Sequence, residues 1–192
     1  MDRRRTDTRS RIRSVAMELF TEQGYDKTSM REIAERLGVT KAALYYHFKT
    51  KQDIVTDLFA SLPEGIDEIV RWARNQPAGA KTREEILVRY GTLLHEYGRD
   101  MARFFYTNQA AFGRHESAFT MREGMRLLAH AMTTPDHNPL DTFYARQALL
   151  TLGWSSAMMG DLDLTDDECF EASLKLGREL LQRISPTAGH IT

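Results

Sequence analysis

GYDKTSMREIAERLGVTKAALYYHFKTK, residues 24 to 51, is the stretch whose reading decides the fold. Ser29 followed three places later by Glu32 is a capping box, in which each side chain satisfies an orphaned backbone donor at a helix start. Met30, Ile33, Ala34 and Leu37 then recur at helical spacing, and Gly38 supplies the residue type that tolerates a left-handed conformation at a helix end. Val39 plugs the core, Thr40 caps a second short helix, and Leu44 with Phe48 give that helix one buried edge. Its other faces carry Lys41, Ala42, Ala43, Tyr45, Tyr46 and His47. Two helices joined by about three residues, the second exposing small and polar residues near its start, match a helix-turn-helix.

Outward from this stretch the helical period continues in both directions. A first helix is expected from about Thr8 to Gln23, with Ile12, Val15, Ala16, Leu19 and Phe20 as its buried stripe. Ahead of it, Arg3, Arg4 and Arg5 read either as a basic arm for the minor groove or as a solvated tail. Downstream, Thr50 with Asp53 caps a helix running through Val55, Leu58, Phe59 and Leu62. Pro63 and Gly65 are expected to kink or break it, because an interior proline removes a hydrogen bond and disfavours helix at the residue before it. The period resumes through Ile66, Ile69, Val70 and Ala73 to a loop at Gln76 to Ala80. Further starts are expected at Thr82 with Glu85, at Asn138 with Pro139, and at Thr165 with Glu168. Two or three more helices are expected between Arg99 and Thr134. No strand-like alternation, repeat or low-complexity segment is visible, so the chain reads as all-α, with about nine helices.

Composition narrows the function classes. The 192 residues are 42% hydrophobic and 28% charged, ordinary for a soluble globular chain. The single cysteine, Cys169, excludes an intramolecular disulfide framework and a multi-cysteine zinc site, and favours the cytoplasm. No apolar run reaches the length of a membrane span, and the charged start MDRRRTDTRSR leads into no secretory core. The net charge of -1 divides unevenly: residues 1–50 hold 11 Lys and Arg against 7 Asp and Glu, and the remainder 15 against 20. A basic N-terminal end is expected of a chain that meets phosphates only there. Thr28 and Ser29 stand at a helix N-terminus, where free amides and the helix dipole favour a phosphate.

The stretch resembles the N-terminal domain of the TetR family of bacterial transcriptional regulators. The resemblance rests on Phe20 and Gly24 to Tyr25, on Thr28 to Ile33, on the Gly38-Val39 turn, and on LYYHFKTK from Leu44 to Lys51. It implies a helix-turn-helix DNA-binding domain over 1–50 and a larger helical effector-binding and dimerisation domain over 51–192. It implies a homodimer on a near-palindromic double-stranded operator, most simply a repressor released by a small effector. Base reading would fall to Lys41, Ala42 and Tyr45, and phosphate contacts to Thr40, Tyr46, His47 and Lys51. Lysine donates to guanine acceptors, an alanine methyl meets a thymine methyl, and a tyrosine hydroxyl serves base or phosphate. Ordinary packing beneath the next helix is the alternative for Tyr45, Tyr46 and His47.

Beyond the motif the sequence is less specific. On the penultimate helix Ala145, Ala148, Leu149, Leu152, Gly153, Ser156 and Ala157 share a face, and Phe170, Leu174, Gly177 and Leu181 make a stripe on the last. These faces either form a four-helix interface between two subunits, as the resemblance implies, or bury within one. An apolar effector pocket would draw on Trp72, Tyr90, Phe104 and Phe105, then on Phe119, Met125, Phe143 and Tyr144, and on Trp154 and Met158. Its polar anchors would come from His95, Asn108, Arg122 and Gln147. Residue by residue, a place in the core is the alternative.

No catalytic constellation stands out. Gly153-Trp154-Ser155-Ser156-Ala157 lacks the second glycine of a nucleophile elbow and sits in a helical stripe. DLDLTDDE from Asp161 begins like a calcium loop but has Asp166 where the turn glycine belongs. The histidines show no HExxH or i, i+4 pairing, so no metal or cofactor is expected. Two other functions are weighed against the regulator: a small-molecule-binding protein or enzyme without DNA binding, and a non-specific DNA-binding protein.

Overall fold

The computed structural model describes residues 2–107, 116–133, 138–159 and 161–185, with side chains described outside 2–6, 98–103, 105–107, 116–121 and 154–158. Among the described residues every regular element is helical. In chain order these are α1 (Asp2–Gln23), α2 (Met30–Leu37), α3 (Lys41–His47), α4 (Lys51–Leu58), α5 (Ser61–Ala73), α6 (Ala80–Thr107), α7 (Glu116–Met132), α8 (Pro139–Met158) and α9 (Asp166–Leu181).

Local chemistry sets most boundaries. Ser29, Thr50 and Thr165 each close a reciprocal capping box, with Glu32, Asp53 and Glu168 respectively. Asn138 Oδ1 accepts from the amides of Leu140 and Asp141, with Pro139 opening α8 where its missing N–H costs nothing. Gly38 ends α2 at φ 68°, a left-handed conformation that a Cβ would strain.

Three expectations need correction, and a fourth lies partly outside the described residues. Helix α1 begins at Asp2, so the backbone of Arg3 to Arg5 is a continuation of the helix instead of a separate arm; no proline or glycine interrupts the segment. Thr82 does not cap α6, which starts two residues earlier; its hydroxyl donates to the Pro77 carbonyl at 2.7 Å from a buried position. The two or three further helices expected between Arg99 and Thr134 fall partly outside the described residues; α6 continues to Thr107, and α7 is the helix described beyond it. Finally, the break after α4 falls at Phe59 and Ala60, ahead of Pro63. Pro63 sits in the first turn of α5, where its missing N–H would have no intrahelical acceptor. Gly65 is a packing residue: a Cβ there would come within 2.8 Å of the Leu93 side chain on α6.

Helices α8 and α9 pack on one another and on α6, while α5 lies against α6 and α7. The small-residue stripe expected to meet a second subunit is used for this internal packing. Ala145, Ala148 and Leu149 are fully buried, and Leu152, Leu174, Gly177 and Leu181 are buried with them. A Cβ on Gly177 would come within 2.9 Å of Leu87. Gly153 and Phe170 are half-buried, and the side chains of Ser156 and Ala157 lie outside the described residues. Small residues permit close helix approach, but their spacing does not say which helix approaches. The segment just after α9 is held by buried Arg83, which donates to the carbonyls of Ile184 and Ser185, and by buried Asp141, which accepts from the Ser185 amide at 3.0 Å.

The N-terminal helices join this body through an aromatic row. Phe104 of α6 is fully buried with its ring 5.4 Å from Phe20 of α1 and 6.2 Å from Phe59. Phe59 also stacks on Tyr97, whose hydroxyl is hydrogen-bonded to Ser61.

Candidate nucleic-acid interface

The site begins in the turn between α1 and α2. Gly24 adopts φ 90° and its amide donates to the Phe20 carbonyl, which closes α1. Thr28 then turns inward: it is 2% exposed, and its hydroxyl donates to the Gly24 carbonyl at 2.9 Å and accepts from Gln23 Nε2 at 3.3 Å. The Thr28 hydroxyl is thus engaged within the turn. Ser29 is exposed, and its oxygen accepts from the Glu32 amide at 3.2 Å while Glu32 Oε2 accepts from the Ser29 amide at 2.7 Å. Those hydrogen bonds from Ser29 hold the Glu32 carboxyl below its ordinary range.

Helix α3 presents what the helix-turn-helix reading asks of it. Thr40 caps its start, accepting from the Ala43 amide at 3.2 Å, and Leu44 is the residue that buries. Thr40, Lys41, Ala42 and Ala43 are exposed. Tyr45 is 41% exposed and Tyr46 66%, far more than packed tyrosines allow. His47 is half-buried, edge-on to Tyr46 at 5.3 Å between centroids. The methyls of Ala42 and Ala43 leave room for close approach to a groove, and Lys41 and Tyr45 supply donors to it. Lys49 donates to the Tyr45 carbonyl at 2.8 Å, and the Lys49 and Thr50 amides both donate to Asp53.

Lys51, expected to hold a phosphate, is engaged elsewhere. It is half-buried, its ammonium donates to the Tyr25 carbonyl, and it lies 4.3 Å from the centroid of the Tyr25 ring. Burial pulls its pKa below the ordinary lysine value. The Tyr25 hydroxyl in turn donates to Gln52 Oε1 at 3.4 Å. Sequence reading missed Gln52, and also Arg9, whose guanidinium grips Asp57 and lies 4.8 Å from the Phe48 ring centroid. Such pairings, tens of residues apart, leave no local signal.

The residues considered for an effector pocket differ in their surroundings. Phe104 belongs to the aromatic row at the α1–α6 junction, and Phe143 is 51% exposed on α8. His95 stacks on Phe170 at 4.6 Å with its Nε2 3.2 Å from Asp167, while Arg122 is exposed. The Arg89 guanidinium lies 4.2 Å from the Trp72 ring centroid, and Tyr90 is fully buried, which holds its phenol well above the ordinary value. Met125, Tyr144 and Gln147 are half-buried. The side chains of Phe105, Asn108, Phe119, Trp154 and Met158 lie outside the described residues. Phe104 is buried and Phe143 exposed, because helical spacing marks a face without saying what lies against it. Among the described residues no group of acidic, histidine or cysteine side chains is placed to hold a metal, and no helix is long and apolar enough to cross a membrane.

Residues 12–58 match the family model for bacterial regulatory proteins of the tetR family. The chain is 41% identical over 63 residues to the HTH-type transcriptional regulator AcrR of Shigella flexneri, a match covering 33% of this chain and 29% of that protein. It is 36% identical over 70 residues to the HTH-type transcriptional regulator TtgR of Pseudomonas putida, covering 36% and 33%. The chain thus spans about a third of the length of the curated relatives it matches. Its fold extends the likeness: the TetR-family regulator PfmR of Thermus thermophilus superposes with a TM-score of 0.68 at 19% identity, over 89% of this chain and 97% of the other. Residues 12–58 are thus similar to the helix-turn-helix domain of tetR-family bacterial regulatory proteins, and the chain as a whole shares the fold of the regulator it superposes on.

Proposed function

We propose that the protein is a homodimeric, sequence-specific transcriptional regulator, acting in the cytoplasm as a repressor that leaves a near-palindromic operator when a small, largely apolar or aromatic effector binds. The observation that carries this reading is the outward face of α3. Lys41, Ala42, Tyr45 and Tyr46 are exposed on a helix whose cap, buried leucine and flanking helices hold it rigidly. Lys41, Ala42 and Tyr45 read bases; Thr40, Ser29, Tyr46 and His47 position the backbone. The DNA-reading unit, assigned to residues 1–50 from sequence, is best carried through α4, since Arg9 of α1 is bound to Asp57.

Two such readers are needed for a palindrome. Apolar side chains left exposed on α8 and α9, namely Leu140, Phe143 and Leu176, are the surface offered to a second subunit. The effector acts by preferring a conformation whose recognition helices no longer match the half-site spacing, because only differential affinity shifts a population.

Selection of fragments of the source genome by the purified protein at fixed, near-physiological salt, beside a Tyr45→Ala variant, tests the reading. Enrichment of a near-palindrome by the wild type, lost in the variant, is expected. Equal retention of all fragments by both proteins would replace the regulator with a non-specific DNA-binding protein.

A further inference from the structure

Arg83 and Asp141 are charged side chains that the fold buries, at 7% and 3% exposure, far from any part in reading DNA. Arg83 lies in the first turn of α6 and Asp141 in the first turn of α8. Both meet the chain immediately after α9. The Arg83 guanidinium donates through one nitrogen to the Ile184 carbonyl at 3.4 Å and through another to the Ser185 carbonyl at 3.2 Å. Asp141 Oδ1 accepts from the Ser185 amide at 3.0 Å and from the Ser185 hydroxyl at 3.3 Å. Ser185 is thus held at its amide, its carbonyl and its side chain, and the Ile184 side chain before it is buried. Burial pulls the Arg83 pKa below its ordinary value, and the charge on Asp141 opposes that pull.

Burying a guanidinium and a carboxylate is costly, and an apolar pair of similar volume is often as stable. What an apolar pair lacks is a fixed address. Apolar contact is non-directional, whereas hydrogen bonds to the main chain of two particular residues allow one position along the chain. That difference matters for α8 and α9, which meet through small residues. Ala145 and Ala148 are fully buried, and a Cβ on Gly177 would come within 3.3 Å of the Ala148 carbonyl. Such faces permit close approach but present shallow ridges, which do little to stop one helix sliding along another. The grip on residues 184 and 185 stands at the end of this pair where α8 begins and α9 stops. Exposed Leu140 and Phe143 flank Asp141 on α8, and exposed Leu176 lies earlier on α9.

We infer that Arg83 and Asp141 are positioning residues for subunit association: by gripping the main chain of residues 184 and 185 they fix α9 lengthwise against α8, and so set Leu140, Phe143 and Leu176 in the arrangement that a second subunit meets. The inference rests on the dimer reading above. A pair that only held the fold together and a pair that sets register differ in what an apolar replacement does. The first is satisfied by any well-packed substitute, and the second is not.

The test replaces both charges at once, with Arg83→Met and Asp141→Leu in one chain. Asp141→Asn, which keeps the size and one acceptor oxygen, is the second variant should the double variant fold poorly. Sedimentation equilibrium reads association, and amide hydrogen exchange is followed at residues 181–185. Urea unfolding over a series of protein concentrations separates the stability of the monomer from the contribution of association. The expected result for the double variant is a monomer as stable as the wild type, a dissociation constant raised about tenfold, and faster exchange at 181–185. Asp141→Asn should move association and exchange in the same directions. Unchanged association, or unchanged exchange at 181–185, would overturn the inference. So would a monomer destabilised as strongly as its association, since the pair would then hold the fold alone. A wild type that stays monomeric at every concentration would end the dimer reading separately; exchange at 181–185 then decides the grip, which faster exchange in the variant upholds and unchanged exchange overturns.

Discussion

Asp57 of α4 receives the guanidinium of Arg9 of α1, with both carboxylate oxygens 3.1 Å from the Arg9 Nε. Arg13 approaches the same carboxylate at 3.6 Å, and the Arg9 guanidinium also covers the Phe48 ring. One side chain thus ties the scaffold helix both to α4 and to the residue that ends α3. The Asp57 side chain is only 16% exposed, whereas that of Arg9 is 45% exposed, so solvent screens the pair in part. Arg9→Ala is expected to destabilise the fold by about 1 kcal/mol, with a smaller effect at high salt. Urea unfolding at two salt concentrations measures this, and a loss that salt leaves unchanged would show that packing on Phe48 dominates instead.

Thr28 makes its contribution from inside the turn. Thr28→Val keeps the shape but removes the hydroxyl from between the Gly24 carbonyl and Gln23 Nε2. A cost of roughly 1 kcal/mol in unfolding free energy is expected, because the hydrogen bonds of a buried hydroxyl are lost while its partners Gly24 and Gln23 are only half-buried. The salt slope of DNA binding should not change; a reduced slope would return Thr28 to the phosphate contacts.

Acid should act on the helix starts. The Glu32 carboxyl is held low by its hydrogen bonds from Ser29, and Glu168 is held low by those from Thr165. A depressed folded-state pKa contributes stability that is full above the unfolded value and is lost as pH falls through the folded one. Stability should therefore decline with acidification below the ordinary glutamate range, and a Glu32→Gln, Glu168→Gln double variant should show a flatter decline. Thermal unfolding over a pH series reads the difference, and parallel curves would assign the acid sensitivity to other carboxylates.

The α8–α9 pair separates folding from association. Phe143→Asp with Leu176→Asp places charge on exposed positions and should give a folded monomer with much weaker operator binding. Leu149→Ala, in the fully buried stripe, should instead cost about 2–5 kcal/mol of stability. Sedimentation equilibrium beside thermal unfolding distinguishes the two, and a double variant that stays dimeric would move the interface off this surface.

The helix-turn-helix was legible because its signals are local. A capping box spans four residues, a left-handed glycine acts at one position, and the buried edge of α3 follows from its period. Ser29, Gly38, Thr40 and Thr50 accordingly play the parts their spacing assigned. The partners of Thr28 and Lys51 are not legible, because the types that suit a phosphate, a hydroxyl and an ammonium, equally suit a carbonyl in a tight turn. The break after α4 was anticipated but displaced, since Phe59 and Ala60 end the helix before the proline can act.

By itself, the sequence determined a helical chain with its helix-turn-helix at a basic N-terminus, because capping, helical period and charge are properties of neighbours along the chain. Only the tertiary structure decided that the small-residue stripe of α8 and α9 closes the subunit's own core, that Phe104 joins the two parts of the molecule, and that Arg9 and Lys51 serve as ties. The physical reason is shared: an amphipathic face or a cationic side chain states what it needs, burial or a partner, but which distant segment supplies it depends on how the helices pack.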